Sequence, residues 1–153
     1  MLPLIVLIVV FLITLFVTRL TRKKYDVAFS GRMAMSVMLL LTATGHFLYP
    51  EGMAMMLPGF IPFKEQVIFL TGLLEIAFAI GLQILNIQKL TAWLLIIFFI
   101  LILPSNIYAA INNVDYQKAT FEGHGLNYLW FRIPLQIIFI IWTWFFCIRT
   151  KNN

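Results

Sequence analysis

Residues 90–110 read LTAWLLIIFFILILPSNIYAA, a run without a single Asp, Glu, Lys or Arg. A helix of about 20 apolar residues crosses the ~30 Å hydrocarbon core of a bilayer. A buried strand of a soluble protein is far shorter, about 4–8 residues. The run therefore predicts a transmembrane helix, and the rest of the chain repeats the pattern. Leu2–Thr18, Met33–Tyr49, Gln66–Leu85 and Tyr128–Ile148 are further apolar blocks. Lipid offers no partner to backbone polar groups, so each block is expected to be helical. The expectation is an all-α integral membrane protein with five spans.

Composition agrees. Of 153 residues, 62% are hydrophobic and 11% charged, where a soluble domain has about half and about a quarter. A chain this small cannot hide such an excess in a water-soluble core. The net charge of +5 raises nucleic acid as a partner, but that needs Lys and Arg gathered on one polar face. Here they gather at the ends of apolar blocks, and a nucleic-acid partner is excluded. The one cysteine, Cys147, forms no internal disulfide and no CxxC pair.

Charge placement predicts orientation through the positive-inside rule. Arg19, Arg22, Lys23, Lys24 and Arg32 fall after the first block, and alternation puts Lys89, Arg149 and Lys151 on the same side. Lys64 and Lys118 go to the opposite side, with Arg132 just inside the last block. The expectation is an N-terminus outside and a C-terminus in the cytoplasm. The first block has no preceding positive charge and no small-residue cleavage site, so it reads as a retained helix, not a signal peptide.

Two outer loops are the longer ones. Pro50–Glu65, PEGMAMMLPGFIPFKE, is too broken by proline and glycine to span and too apolar to float free in water. It reads as an interfacial or re-entrant segment, with the methionines at 53–56 as lipid-facing packing. Ile111–Asn127 is polar, and His124 within it reads as a solvated loop residue. Trp142, Trp144, Phe145 and Phe146 read as an interfacial anchor belt.

Polar groups inside hydrocarbon are costly and mark candidate sites. Glu75 stands mid-block, with Gly72 and Ala79 on its face, small residues that turn a carboxylate toward another helix. Arg132, Gln136 and Thr143 fall within about 40° of one another at ~100° per residue. Asn106, Ala109, Ala110 and Asn113 share a face, as do Thr42 and His46. The expected result is a polar cluster opening to the outside, with Pro104 and Pro134 bending their helices at its depth. Ser105, Asn106, Arg132 and Gln136 are placed to occupy that space. The competing reading is a structural ion pair or hydrogen-bond network, and for His46 alone, bonding to loop carbonyls. Two distant histidines and one cysteine make no metal site.

The stretches Gly45-His46-Phe47 with Pro50, Gly72-Leu73-Leu74-Glu75, Pro104-Ser105-Asn106-Ile107-Tyr108 and Arg132-Ile133-Pro134-Leu135-Gln136 together resemble the DoxX family of small bacterial membrane proteins. The resemblance runs from about Arg32 to the C-terminus. It implies a four-helix transmembrane bundle over residues 25–153 with an added N-terminal helix over 1–24, in a bacterial cytoplasmic membrane. It also implies His46, Glu75, Asn106, Arg132 and Gln136 as site residues, the cluster already reached from the helix faces. Some members of that family resemble the membrane subunit of a thiosulfate:quinone oxidoreductase, others join stress-linked membrane complexes, and a eukaryotic branch assists receptor assembly.

Three functions compete. The first is a quinone- or lipid-binding subunit of an oxidoreductase complex, with quinone as the implied cofactor and electrons supplied by partner subunits. The second is a non-catalytic assembly scaffold, its polar cluster acting as glue. A small-solute transporter is weaker, because four or five helices without a visible repeat are few for alternating access. No residue pattern identifies catalytic residues, the ligand or the oligomeric state.

Overall fold

A computed structural model of the chain describes residues 2–123 and 125–149; His124 and Lys151, both assigned a side above, lie outside them. The helices are α1 (Leu2–Arg22), α2 (Val27–Leu48), α3 (Pro50–Met55), α4 (Lys64–Gly81), α5 (Gln88–Ile111) and α6 (Asn127–Thr143), and α6 continues as a π-helical turn over Trp144–Arg149. Four of these elements are long and apolar enough to cross a membrane: α1, α2, α5, and α6 with its π turn. α4 has 18 residues and carries Lys64, Glu65 and Glu75, and it stands apart from that set.

Helix ends differ from the apolar blocks where local polar groups intervene. α2 starts at Val27 rather than Met33, because the Asp26 carboxylate accepts a 3.0 Å hydrogen bond from the Phe29 amide and caps the first turn. Arg32, expected in a loop, is therefore inside α2 and buried. α4 ends at Gly81 rather than Leu85. The amides of Gln83 and Ile84 turn back onto the carbonyls of Ile80 and Gly81 at 3.0 and 3.3 Å, and that tight i to i+3 geometry closes the helix.

α2 is the hub, packed against α1, α4, and the α6 end with its π turn. Its Met35, Met38 and Leu39 are fully buried beside Leu82 and Leu95. α1 buries Leu7 but leaves Leu12, Ile13, Phe16 and Leu20 more than half exposed, an apolar outer face suited to lipid. The expected stripe of Gly72, Glu75 and Ala79 is the buried face of α4.

Polar bonds tie the elements together. Ser36 Oγ donates to the Ala79 carbonyl at 2.7 Å, and Gln83 Nε2 donates to Ser36 Oγ at 2.7 Å. Gln88 Nε2 reaches the Cys147 carbonyl at 2.8 Å. Trp142, expected as an interfacial anchor, is a joint between helices instead. Its indole donates to the Gly31 carbonyl at 3.0 Å, and its ring meets Phe11 and Phe146 at centroid distances of 5.1 and 4.6 Å.

Candidate functional site

The C-terminal ends of α2 and α5 meet the N-terminal ends of α1, α4 and α6 around a cavity of about 520 Å³. Pro50–Met55 and the loop after α5 close over it, contributing Met53, Met56, Tyr116 and Gln117 to the lining. The walls are mostly apolar, with Met38, Phe98, Phe99, Leu135 and Phe139 among them. His46, Glu75, Asn106, Arg132 and Gln136 all line this one space. Five residues drawn from four helices thus converge, as the helix faces led one to expect.

Other expectations require correction. Met53 and Met56 face the cavity rather than lipid, because the short helix α3 and the residue that caps its C-terminus lie along the cavity's edge. Thr143 shares the Arg132 stripe but lies about three turns deeper. There it is fully buried and donates to the Phe139 carbonyl at 2.8 Å. Asn113 leaves the Asn106 face, since α5 ends at Ile111 and Asn113 takes a left-handed φ of 52° in the loop. Pro104 and Pro134 sit within α5 and α6 with exposed rings, beside the lining residues Ser105 and Leu135.

His46 is held by α4 rather than by loop carbonyls. Its Nδ1 lies 3.2 Å from the Ile68 carbonyl and 3.1 Å from Thr71 Oγ1. The Thr71 hydroxyl also lies 2.8 Å from that same carbonyl. Both tautomers of the imidazole fit these contacts: a protonated Nδ1 donates to the Ile68 carbonyl, and an unprotonated one accepts from the Thr71 hydroxyl. The other nitrogen, Nε2, faces Glu75 Oε1 at 3.5 Å.

The second carboxylate oxygen, Glu75 Oε2, is buried and has no hydrogen-bond partner among the described residues. Asn106 and Gln136 satisfy one another in part: Asn106 Nδ2 reaches Gln136 Oε1 at 3.5 Å, and Gln136 Nε2 donates to the Phe99 carbonyl. Arg132 is half-buried in the cavity wall and makes no ion pair or hydrogen bond with another described residue. Its charge is felt by Tyr116, whose hydroxyl is nonetheless pushed above the usual tyrosine range, mainly by burial and next by the neighbouring Tyr128.

Sequence reasoning missed Thr71, Tyr116 and Tyr128. Thr71 stands four residues before Glu75, on the same helical face, and that spacing was a readable signal for its role beside His46. Nothing in the sequence places Tyr116, which reaches the cavity because the loop after α5 folds back. Among the described residues no three of His, Cys, Asp and Glu group as a metal site would require.

The fold and its cavity define a helical bundle of membrane-protein character with a partly open, mostly apolar site. Residues 35–147 match the family described as Domain of unknown function (DUF8561), and the chain belongs to that family. No curated protein matches the chain, and no solved structure does.

Proposed function

We propose that this protein is a membrane-embedded binding subunit whose cavity holds a hydrophobic small molecule with a polar head, of quinone or lipid type. One observation carries the reading. A mostly apolar cavity of ligand size contains a buried carboxylate oxygen of Glu75 that the described residues leave without a hydrogen bond, and the half-buried Arg132 lines the same space. An unsatisfied buried polar group is expensive, so the Glu75 oxygen points to a partner that completes it. Bonds through Ser36, Gln83 and Gln88 tie helices together away from the cavity, and His46 and Gln136 do so within it; the Glu75 oxygen they leave unmet is what favours a ligand over a scaffold.

The finer reading is a DoxX-like four-helix bundle with an added first helix, five spans in all, α4 crossing as the fifth with Glu75 shielded by α2. Arg19, Arg22, Lys23, Lys24, Lys89 and Arg149 gather at the end opposite the cavity. The positive-inside rule puts that end in the cytoplasm and opens the cavity outward, in a bacterial inner membrane. A quinone would be the bound molecule of an oxidoreductase complex, with partner subunits bringing the electrons; a lipid is the other occupant that this reading allows.

Native mass spectrometry of protein released from mild detergent tests the reading, wild type beside Glu75→Gln. A quinone or lipid mass on wild type, reduced on the variant, is the expected result. A bare chain in both, or an adduct indifferent to the substitution, overturns it.

A further inference from the structure

Which chemical class of head group the cavity takes follows from its charges. The charge-bearing side chains that line it are His46, Glu75 and Arg132, with the hydroxyl-bearing rings of Tyr49, Tyr116 and Tyr128 beside them. His46 and Glu75 face each other at 3.5 Å, so the carboxylate already has an imidazole beside it. Arg132 contributes one positive charge, always present because a guanidinium does not lose its proton in proteins. No carboxylate among the described residues pairs with it. Arg132 is therefore the guanidinium of the cavity wall that no described carboxylate neutralises by direct contact.

The charge also has a position. Arg132 stands in the second turn of α6, at the same end as Tyr116 and Tyr128. Phe139 is seven residues further along the same helix, about two turns or ~10 Å deeper, and with Phe98, Phe99 and Leu135 it forms an apolar floor. Cation at the mouth and hydrocarbon below is the arrangement that fits an acidic amphiphile inserted tail first.

We infer that the ligand is an amphiphile with a single negative charge on its head, a carboxylate or a phosphodiester, paired with Arg132 and with its chain against Phe98, Phe99 and Phe139. The inference rests on the cavity being a ligand site, and it selects among the head groups that reading allows. A carboxylate or phosphodiester accepts two parallel guanidinium hydrogen bonds. A neutral quinone offers only carbonyl oxygens and leaves the cation uncompensated. The two anionic sources differ in head size, so a free fatty acid and a lysophospholipid are separate arms of one test.

The experiment is a ligand series on the whole protein in a neutral sugar detergent, read by melting temperature and by native mass spectrometry. The probes are palmitate, lysophosphatidylglycerol, methyl palmitate and decylubiquinone. Palmitate or lysophosphatidylglycerol is expected to raise the melting temperature and appear as a one-to-one adduct. Methyl palmitate, the same chain without the charge, is expected to bind about ten- to a hundred-fold more weakly, the loss of a charge-assisted hydrogen bond. Arg132→Gln is expected to erase that difference and Arg132→Lys to keep part of it. Should Arg132→Gln not fold, the comparison of acid with ester on wild type decides alone. Equal binding of the ester, the quinone and the acids overturns the anionic head group and leaves the ligand site standing. Binding of none of the four overturns both.

Discussion

Replacing Gly72 with alanine sets two effects against each other, and the structure says which wins. Inside a helix the change alone favours alanine by about 1 kcal/mol. A Cβ at Gly72, however, would stand 2.8 Å from the His46 Cβ and 3.2 Å from Phe47 Cζ. Carbon atoms rest at about 3.5–4.0 Å. The His46 Cβ is rigidly attached to the α2 backbone and cannot swing away, so α2 and α4 must part by roughly 1 Å. Overpacking of this kind costs about 1–3 kcal/mol, for a net loss of about 1 kcal/mol and a melting temperature lower by about 2–4 °C for a chain of this length. Parting the helices also stretches the His46–Glu75 contact. Gly45 is the matched control, because its added Cβ meets only Met53 Cε, at 3.2 Å, the free end of a flexible side chain. Gly45→Ala is expected to melt at or slightly above wild type. The assay is thermal unfolding by intrinsic tryptophan fluorescence in a single detergent. If Gly72→Ala melts as high as Gly45→Ala, the close approach of α2 and α4 at His46 is wrong.

Asp26→Ala removes the cap of α2 and is expected to cost about 1 kcal/mol, visible as a lower midpoint in the same melt. Trp142→Phe keeps the ring packing but deletes the hydrogen bond to Gly31; a loss of about 0.5–1.5 kcal/mol is expected, and an unchanged midpoint would dismiss the joint. Cys147 is 1% exposed, so maleimide labelling is expected to be slow in the folded protein and fast once it is heated through its transition. Burial holds the Tyr116 hydroxyl above its ordinary pKa of 10.0. The folded state therefore keeps this proton after the unfolded chain has lost it. The resulting stability is complete below pH 10 and is lost as pH rises through the folded value. Wild type is expected to lose stability more steeply above pH 10 than Tyr116→Phe, and parallel curves for the two would remove Tyr116 from its buried place.

Some of this architecture was legible one residue at a time. An unbroken run such as residues 90–110 admits few solvents besides lipid, because no soluble core of this size absorbs it. The polar faces were legible too. Helical geometry aligns Gly72 with Glu75 and Arg132 with Gln136 before any partner is known, and the five named residues do line one cavity. The short-range rules failed where a neighbour distant in sequence took over. The aromatic end of α6 reads as a membrane anchor by composition, yet Trp142 bonds to Gly31, 111 residues away. Met53 and Met56 read as lipid-facing because nothing nearby in sequence says that they line a cavity.

Periodicity and charge thus determined that this chain is helical and of membrane character, and which faces carry polar groups, since those properties depend on residues within a turn or two of each other. The sequence reads as five spans, where four of the described helices are long and apolar enough to cross. Only the tertiary structure decided how the faces meet. It put Thr71 and the Ile68 carbonyl against Nδ1 of His46, and Glu75 against Nε2. It also kept Arg132 away from every described carboxylate. Both outcomes depend on distances of a few ångströms between helices, and no sequence spacing encodes those distances.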